Sequence, residues 1–138
     1  MNFLSLLALV AFASAAPTSE TANDLVERIS GGCGVKQASF YGDAQVAAAA
    51  NQACTLFKSG KVVGSNKYPH KFNNGEKFKF HGVAGPYQEF PIIKTGAIYN
   101  GGPLGPDRVV INSAFTVAGL ITHNGASGNK FVACSGTN

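Results

Sequence analysis

The chain has 138 residues, of which 11 are basic and 7 are acidic, so its formal net charge is +4 at neutral pH. A chain of this length has room for one modest hydrophobic core, which excludes two separate folded domains. The excess of positive charge favours a polyanionic partner, such as nucleic acid or an anionic surface, and predicts salt-sensitive association.

The N-terminal stretch has the pattern of a secretory signal peptide. It carries no charged side chain before Glu20, is apolar over residues 3–12, and turns to small residues at 13–15. The apolar run is too short for a transmembrane helix, which needs roughly 20 residues. We therefore expect residues 1–15 to be removed as a signal peptide and the product to be secreted and extracellular, with no membrane anchor.

Residues 16–30 are mostly polar and offer little to a hydrophobic core. We expect this segment to be a propeptide or a flexible arm, and residues 31–138 to form the folded domain. Because residues 1–30 contain one arginine and three acids, the folded domain keeps 10 basic and 4 acidic side chains, a net charge of +6.

The stretch from Asp43 to Lys58 has the pattern of an amphipathic helix. Its apolar residues recur three to four positions apart, as at Val46 and Ala50, and Gly60 follows as a stop signal. One face of this helix should pack inward.

After the helix the chain changes to short runs of aromatic and β-branched residues, separated by Asn-Gly and Gly-Gly pairs that are typical of hairpins and loops. The candidate strands are Lys67–Phe72, Phe78–Phe80, Glu89–Ile93, Arg108–Ile111, Leu120–His123 and Lys130–Cys134. One helix followed by several antiparallel strands indicates an α+β domain. We expect the helix to cover one face of the sheet and the other face to be available to a ligand.

Three cysteines, Cys33, Cys54 and Cys134, cannot all pair within one chain, so at most one internal disulfide forms. Cys54 lies in the predicted helix, where a buried free thiol is a commoner outcome than a reactive one.

The folded domain has few side chains for acid–base chemistry. Its histidines are His70, His81 and His123, and it keeps only four acids. Tyr68 and His70 are two positions apart on a predicted strand, so their side chains should share a face. Glu89 and Arg108 each open a predicted strand, and His123 ends another. A carboxylate, two imidazoles, a guanidinium and a phenol on one sheet could form a site that cleaves phosphodiesters.

Cleavage of RNA needs a base for the 2′-hydroxyl, an acid for the leaving 5′-oxygen and donors to the charged phosphorane. The sequence has no zinc-binding motif, no glycine-rich nucleotide loop and no G-x-S-x-G elbow, so we expect neither a metal nor a cofactor. The same side chains also fit ordinary roles: strand histidines, packing for Tyr68, and a surface ion pair between Arg108 and Asp107. The pattern alone indicates a secreted basic α+β domain that could bind RNA.

Four segments carry a resemblance to a known family. They are NKYPHKFNN, GPYQEFPI, YNGGPLGPDRVVIN and AGLITHNGASGNKFVACSG. From about Cys33 to the C-terminus the chain resembles the small extracellular guanyl-specific ribonucleases of fungi, the takadiastase-type family, which is distantly related to the ribotoxins. The resemblance implies the microbial ribonuclease fold, one α-helix packed on a twisted antiparallel sheet, and a monomer that acts on single-stranded RNA.

The resemblance implies catalytic roles for Tyr68, His70, Glu89, Arg108, His123 and Phe131. Glu89 would take the proton from the ribose 2′-hydroxyl, with His70 beside it orienting or sharing the base role. His123 would protonate the departing 5′-oxygen. Arg108 and Tyr68 would donate to the non-bridging oxygens, and the ring of Phe131 would pack against the phosphate. The first product would be a 2′,3′-cyclic phosphate, which water then opens to a 3′-phosphate.

The resemblance implies guanine recognition by Phe72, Asn73, Asn74, Glu76 and Asn129. The carboxylate of Glu76 would accept from the N1 and N2 groups of guanine, the backbone of the three asparagines would add hydrogen bonds, and Phe72 would offer a stacking face. At Gly75 the family usually has an aromatic lid over the base. Its absence would cost about 1 to 3 kcal/mol of base affinity.

The resemblance also implies a disulfide between Cys33 and Cys134. Relatives with a second bridge pair the helix cysteine with one at the position of Phe115, so Cys54 would lack a partner here. Four lysines, Lys67, Lys71, Lys77 and Lys79, surround the implied base-binding loop, where they could hold flanking phosphates or form an ordinary solvated face. The alternative to a guanyl-specific enzyme is a secreted RNA-binding or toxic effector with the same fold and weak or no guanine specificity.

Overall fold

A computed structural model describes residues 29–137. Its strands are β1 (Gly31–Cys33), β2 (Ser39–Tyr41), β3 (His70–Phe72), β4 (Tyr87–Pro91), β5 (Asp107–Asn112), β6 (Val117–Thr122) and β7 (Val132–Ala133), and its helix is α1 (Asp43–Ser59). Two short 3₁₀ turns occupy Val35–Gln37 and Phe80–Gly82. The signal peptide expected at residues 1–15, and all but the last two residues of the expected propeptide or arm, lie outside the described residues.

Five antiparallel strands form the central sheet in the order β3-β4-β5-β6-β7, and β1 and β2 form a separate hairpin. The register pairs His70 with Glu89 across β3 and β4, and Arg108 with Ile121 across β5 and β6. Residues directly opposite each other in an antiparallel pair project from the same face of the sheet. One helix against an antiparallel sheet confirms the predicted α+β class.

Helix α1 matches its prediction to within one residue because its boundaries depend on local signals. At its start the Gly42 N–H donates to the side chain of Gln45 over 3.1 Å. At its end Gly60 adopts the left-handed conformation, with φ of 69°, and its N–H bonds to the Phe57 carbonyl at 3.2 Å. Glycine adopts this conformation without the steric penalty of a Cβ atom, so it is a common helix terminator.

Two apolar clusters lie on the two faces of the central sheet. The first fills the space between α1 and the sheet and includes Val46, Ala53, Leu56, Phe90, Val109, Ile111 and Leu120. The second lies on the opposite face and contains Phe72, Phe80, Val110, Ala118, Ile121 and Phe131. Adjacent strand residues such as Val109 and Val110 contribute to different clusters because strand side chains alternate. The second face is therefore partly covered, and the part available to a ligand is smaller than expected.

Several strand predictions need correction. Phe78–Phe80 forms no strand: Phe80 and His81 have φ of 49° and 51° and belong to a 3₁₀ turn. The fully buried ring of Phe80 packs on Tyr87, with ring centroids 4.9 Å apart, so this aromatic run fills the second cluster. Strand β3 begins at His70 rather than Lys67, and β6 ends one residue before His123. The β1–β2 hairpin was not predicted.

A disulfide joins Cys33 and Cys134, which are 101 residues apart in sequence, as the resemblance implies. Beside it, Gly32 and Ser135 exchange two hydrogen bonds, of 2.8 and 2.9 Å, which tie β1 to the C-terminal segment. Among the described residues Cys54 is the free cysteine, and its Sγ lies 4.0 Å from the carbonyl oxygen of Phe115.

Candidate active site

Three ionisable side chains meet on the sheet face opposite α1, one from each of three neighbouring strands. Glu89 on β4 lies between His70 on β3 and Arg108 on β5. The Nε2 atom of His70 is 3.3 Å from Oε2 of Glu89, and Nε of Arg108 is 3.5 Å from Oε1 of Glu89. The strand register brings together residues that are up to 38 positions apart in the sequence.

Glu89 is only 6% exposed and Arg108 only 4% exposed. Burial raises the pKa of the Glu89 carboxyl above its usual value, and the charges of His70 and Arg108 oppose that rise in pKa only in part. A carboxylate with a raised pKa is a better proton acceptor near neutral pH than a solvated one. Within residues 29–137, Glu89 Oε1 and Arg108 Nε have no hydrogen-bond partner, a cost that a polar substrate would relieve.

His70 is held in one tautomer and orientation. Its Nδ1 lies 3.0 Å from the carbonyl oxygen of Asn66, which can only accept, so Nδ1 carries a hydrogen and Nε2 faces Glu89. Its ring stacks on the ring of Tyr68, with centroids 4.4 Å apart, and the guanidinium of Arg108 lies 5.3 Å from the centre of the same Tyr68 ring. Tyr68 precedes β3, at a cis peptide bond to Pro69, rather than lying on the strand.

Two backbone carbonyls fix the guanidinium of Arg108. Its Nη1 donates to the carbonyl oxygens of Gly105 at 2.7 Å and Asp107 at 2.8 Å. The alternative of a surface ion pair between Arg108 and Asp107 does not hold, because Asp107 is 2% exposed and its carboxylate instead accepts the hydroxyl of Tyr41 at 2.6 Å. Neighbouring strand residues project from opposite faces, and this rule could have excluded the pair.

The Tyr41–Asp107 contact is a feature of the site's surroundings that the sequence did not reveal. Burial, together with the adjacent carboxylate of Asp107, raises the pKa of the Tyr41 hydroxyl, so this group remains a donor. The contact secures the start of β5, directly before Arg108. Its two partners are 66 residues apart, which explains why no local pattern indicated it.

His123 lies one residue after β6 and is fixed on two sides. Its Nδ1 is 2.7 Å from the carbonyl oxygen of Lys130, so Nδ1 carries a hydrogen and Nε2 is left for proton transfer. The ring stacks on that of Phe131, with centroids 3.9 Å apart and planes at 23°. The charge of His123 also lowers the pKa of Glu89, so the two groups are within electrostatic reach.

The loop after β3 connects to the same site. Glu76 Oε2 accepts the backbone N–H of Phe131 at 2.8 Å. The side chain of Asn74 makes two hydrogen bonds to the backbone of Phe78, at 2.8 and 2.9 Å, which shape the loop. Asn73 and Asn129, predicted with them, are exposed.

The ring of Phe72 is not exposed as an open stacking platform would be. Its ring is 6% exposed and packs in the second cluster, with its centroid 5.7 Å from that of Phe131. Stacking of guanine on Phe72 stays a prediction, and it requires the ring to present a face that other rings now cover. The geometry gives Glu76 and Phe131 a direct link and gives Phe72 a packing role.

The site contains a buried carboxylate, two oriented imidazoles and a fixed guanidinium. Such a set can remove one proton, deliver another and stabilise negative charge on a phosphate. Among residues 29–137 no group of three or more His, Cys, Asp or Glu side chains is placed to hold a metal ion. None of the helices in this part of the chain has the length and apolar character needed to cross a membrane.

Known proteins are similar to this chain in sequence and in fold. The family model for ribonuclease matches residues 29–135. Guanyl-specific ribonuclease F1 of Fusarium fujikuroi is 50% identical over 137 residues, which cover 99% of this chain and 96% of that protein. Extracellular guanyl-specific ribonuclease Fl1 of Gibberella baccata is 57% identical over 95 residues, which cover 69% and 89% of the two chains.

One solved structure has a similar fold. The ribonuclease He1 from Hericium erinaceus superposes with a TM-score of 0.55 at 26% identity, and the match covers 77% of this chain and 98% of that one. Because the family model spans more than three quarters of the sequence and the relatives align along most of their own length, the chain belongs to the ribonuclease family.

Proposed function

We propose that the protein is a secreted endoribonuclease that cleaves single-stranded RNA on the 3′ side of guanosine and needs no metal ion. Family membership supports RNA cleavage, and the names of the similar proteins support the guanosine preference. The observation that carries the proposal is the position of Glu89 between His70 and Arg108, on the sheet face within electrostatic reach of His123.

In the first step Glu89 removes the proton of the ribose 2′-hydroxyl, and the 2′-oxygen attacks the phosphorus. His123 is protonated at Nε2 and gives its own Nε2 proton to the leaving 5′-oxygen. Arg108 and the Tyr68 hydroxyl donate to the non-bridging oxygens as negative charge grows. His70 positions the Glu89 carboxylate through their contact, and Phe131 presents an apolar ring beside His123. The products are a 2′,3′-cyclic phosphate and a free 5′-hydroxyl.

In the second step a water molecule takes the place of the departed 5′-oxygen. His123, now neutral, removes a proton from this water, and protonated Glu89 returns a proton to the 2′-oxygen. The ring opens to a 3′-phosphate and both side chains recover their initial protonation states.

Guanine recognition involves the loop after β3. One Glu76 oxygen accepts from the N1 and N2 groups of guanine while the other keeps its bond to the Phe131 N–H, so base binding is linked to the catalytic ring of Phe131. Backbone groups of Asn73, Asn74 and Asn129 supply the remaining hydrogen bonds. The protein acts as a monomer after loss of residues 1–15 and of the segment that follows.

The test is cleavage of the four dinucleotides GpU, ApU, CpU and UpU by the purified mature protein in the presence of a chelator. GpU should be cleaved fastest, with guanosine 2′,3′-cyclic phosphate appearing before guanosine 3′-phosphate. Glu89→Gln and His123→Ala should each lower kcat by about 10²- to 10⁴-fold.

His81→Ala is the matched control, because this exposed histidine lies outside the site and its Nε2 contacts the carbonyl oxygen of Gly136 at 2.9 Å. It should retain nearly full activity. Equal losses for His81→Ala and His123→Ala, or loss of cleavage on chelation, would contradict the proposed mechanism.

A further inference from the structure

We propose that two asparagine side chains, Asn100 and Asn124, are spontaneously deamidated in the folded protein, while a third, Asn74, is protected. Deamidation at Asn124 places a carboxylate directly after His123. The chemical part of the inference is independent of the proposed function, and only its effect on RNA cleavage rests on the role of His123 as the general acid.

Three asparagines are each followed by glycine: Asn74, Asn100 and Asn124. Glycine has no side chain to obstruct its own backbone nitrogen, and its φ and ψ vary more easily than those of other residues. Its nitrogen can therefore approach the side-chain carbonyl carbon of the preceding asparagine. The three pairs have the same chemistry, so the structure around each pair sets its rate.

The reaction needs only water. The backbone nitrogen of the glycine loses its proton and forms a bond to Cγ of the asparagine. The bond from Cγ to Nδ2 breaks, and Nδ2 leaves as ammonia with that proton. Water then opens the cyclic imide at either carbonyl carbon, which gives aspartate or, when the main chain continues through the side chain, isoaspartate. A hydrogen bond to the side-chain amide or to the glycine N–H opposes the first step, because that bond must break.

The amide of Asn74 is held at both of its polar atoms. Its Nδ2 donates to the carbonyl oxygen of Phe78 at 2.9 Å, and its Oδ1 accepts the N–H of Phe78 at 2.8 Å. Rotation of the amide toward the nitrogen of Gly75 would break both hydrogen bonds. The loop therefore protects this pair, although Gly75 itself is exposed.

Asn100 is the least restrained of the three. Both Asn100 and Gly101 are exposed. Within residues 29–137, the side-chain amide of Asn100 and the N–H of Gly101 have no hydrogen-bond partner. The amide can rotate and the glycine nitrogen can lose its proton without breaking a contact, so this pair should react fastest.

Asn124 lies in the turn after β6 and is intermediate. The N–H of Ala126 closes this turn on the carbonyl oxygen of His123 at 3.0 Å, and Gly125 is exposed. The side-chain amide of Asn124 is half-buried against Gly34. In the described part of the chain, however, no hydrogen bond holds that amide or the N–H of Gly125. Packing therefore slows the reaction here but does not prevent it.

Deamidation of Asn124 changes the surroundings of the general acid. The Nδ1 atom of His123 is 2.7 Å from the carbonyl oxygen of Lys130, and its backbone N–H donates to Pro106 at 2.9 Å. An aspartate at position 124 adds a negative charge one residue from a group that acts on a phosphate, so repulsion weakens substrate binding. Isoaspartate adds one carbon to the main chain inside the turn that closes on His123. Both products should lower kcat/KM.

The first experiment follows the purified mature protein during incubation at mildly alkaline pH. Peptide mapping by mass spectrometry measures, at each of the three asparagines, the fraction converted to aspartate or isoaspartate. Conversion should be fastest at Asn100, slower at Asn124 and slowest at Asn74. In the reduced, urea-unfolded protein the three rates should become similar, because Asn74 has lost its two hydrogen bonds. Conversion of Asn74 as fast as Asn100 in the folded protein, or no conversion at Asn124, would overturn the inference.

The second experiment measures the effect on cleavage. Asn124→Asp carries the charge of the product, whereas Asn124→Ser has a neutral side chain that cannot be deamidated. The value of kcat/KM for GpU should be about two- to fivefold lower for the aspartate variant than for the serine variant. During incubation the wild type should lose activity in proportion to conversion at Asn124, and Asn124→Ser should keep its activity.

Asn51→Asp is the matched control, because it places the same charge on an exposed residue of α1, on the helix-covered side of the sheet. It should keep the wild-type kcat/KM. Equal kcat/KM values for Asn124→Asp and Asn51→Asp would overturn the effect on catalysis. Absence of GpU cleavage by the wild type would instead refute the proposed function, and the order of deamidation rates would still test the chemical part.

Discussion

Glu89 is held next to the imidazole of His70 and the guanidinium of Arg108, yet burial keeps the pKa of its carboxyl above the usual value. Desolvation therefore outweighs the attraction of His70 and Arg108. A carboxylate with this raised pKa takes up a proton more readily than an ordinary one, and the folded protein bears the electrostatic cost of burying it. Catalytic groups commonly reduce stability in this way.

This cost can be measured with the variant Glu89→Gln. A carboxyl with a higher pKa in the folded than in the unfolded protein binds more protons when folded, so the wild type loses stability as pH rises from the unfolded pKa through the folded one. Glutamine does not titrate. The free energy of unfolding of the variant, relative to wild type, should therefore be higher at pH 7 than at pH 4. Urea denaturation at the two pH values tests this, and a pH-independent difference would contradict it.

A second single-residue prediction concerns Gly75, next to Glu76 in the loop after β3. A Cβ atom built there meets no heavy atom within 4 Å, so a side chain can leave the backbone at this position without a clash at its first atom. Gly75→Tyr should supply a stacking face for guanine and tighten the binding of guanosine 3′-phosphate by about 1 to 3 kcal/mol, roughly 5- to 150-fold in Kd. Gly75→Ala is the control and should leave Kd near the wild-type value. Equal affinities of the tyrosine and alanine variants would exclude stacking.

At the scale of elements, the end of α1 depends on the left-handed conformation of Gly60. A Cβ atom there has open space around it, so the cost of Gly60→Ala is conformational alone, about 1 kcal/mol. Tm should fall by about 4 to 8 °C. Gly102→Ala is the control, because Gly102 has equally open surroundings and no left-handed φ. Calorimetry should show no loss of Tm for the control, and an equal loss in both variants would argue against this account of the helix terminus.

Elements with local signals could be predicted from the sequence, and elements that depend on tertiary contacts could not. Helix α1 has its own apolar period and terminating glycine, so its limits were nearly correct. Phe78–Phe80 has the composition of a strand, but burial of Phe80 against Tyr87 and Phe72 imposes a turn there. The β1–β2 hairpin contains two adjacent glycines and lacks the alternation that would indicate a strand.

The candidate site shows the same difference between features with local sequence signals and features that depend on tertiary contacts. Resemblance to a family indicated the residues, but their contacts depend on the register between strands, which one sequence does not contain. The hydrogen bond between Glu76 and the N–H of Phe131 spans 55 positions, and the buried partner of Asp107 is 66 positions away. The side-chain alternation of strands would have sufficed to place Asp107 and Arg108 on different faces.

At the scale of the whole molecule, the disulfide between Cys33 and Cys134 closes nearly the entire described chain into one loop. In the chain-entropy model a loop of this length contributes about 4 to 5 kcal/mol, a large part of the stability of a domain of this size. The double variant Cys33→Ser/Cys134→Ser should lose that amount in urea denaturation.

Cys54→Ser is the control for that variant, because Cys54 forms no disulfide, and burial raises the pKa of its thiol so that it reacts poorly. It should change stability much less. A loss for Cys54→Ser as large as that of the double variant would show that packing at the cysteines, and not the covalent link, stabilises the fold.

The hydrogen bonds between Gly32 and Ser135 place the two ends of the described chain side by side. A short peptide could therefore join these ends, and the backbone could be opened instead in the exposed loop at residues 101–105. Such a circularly permuted protein would keep every strand neighbour of the central sheet. The order in which the elements follow one another along the chain is thus less important to this architecture than which strands lie next to each other.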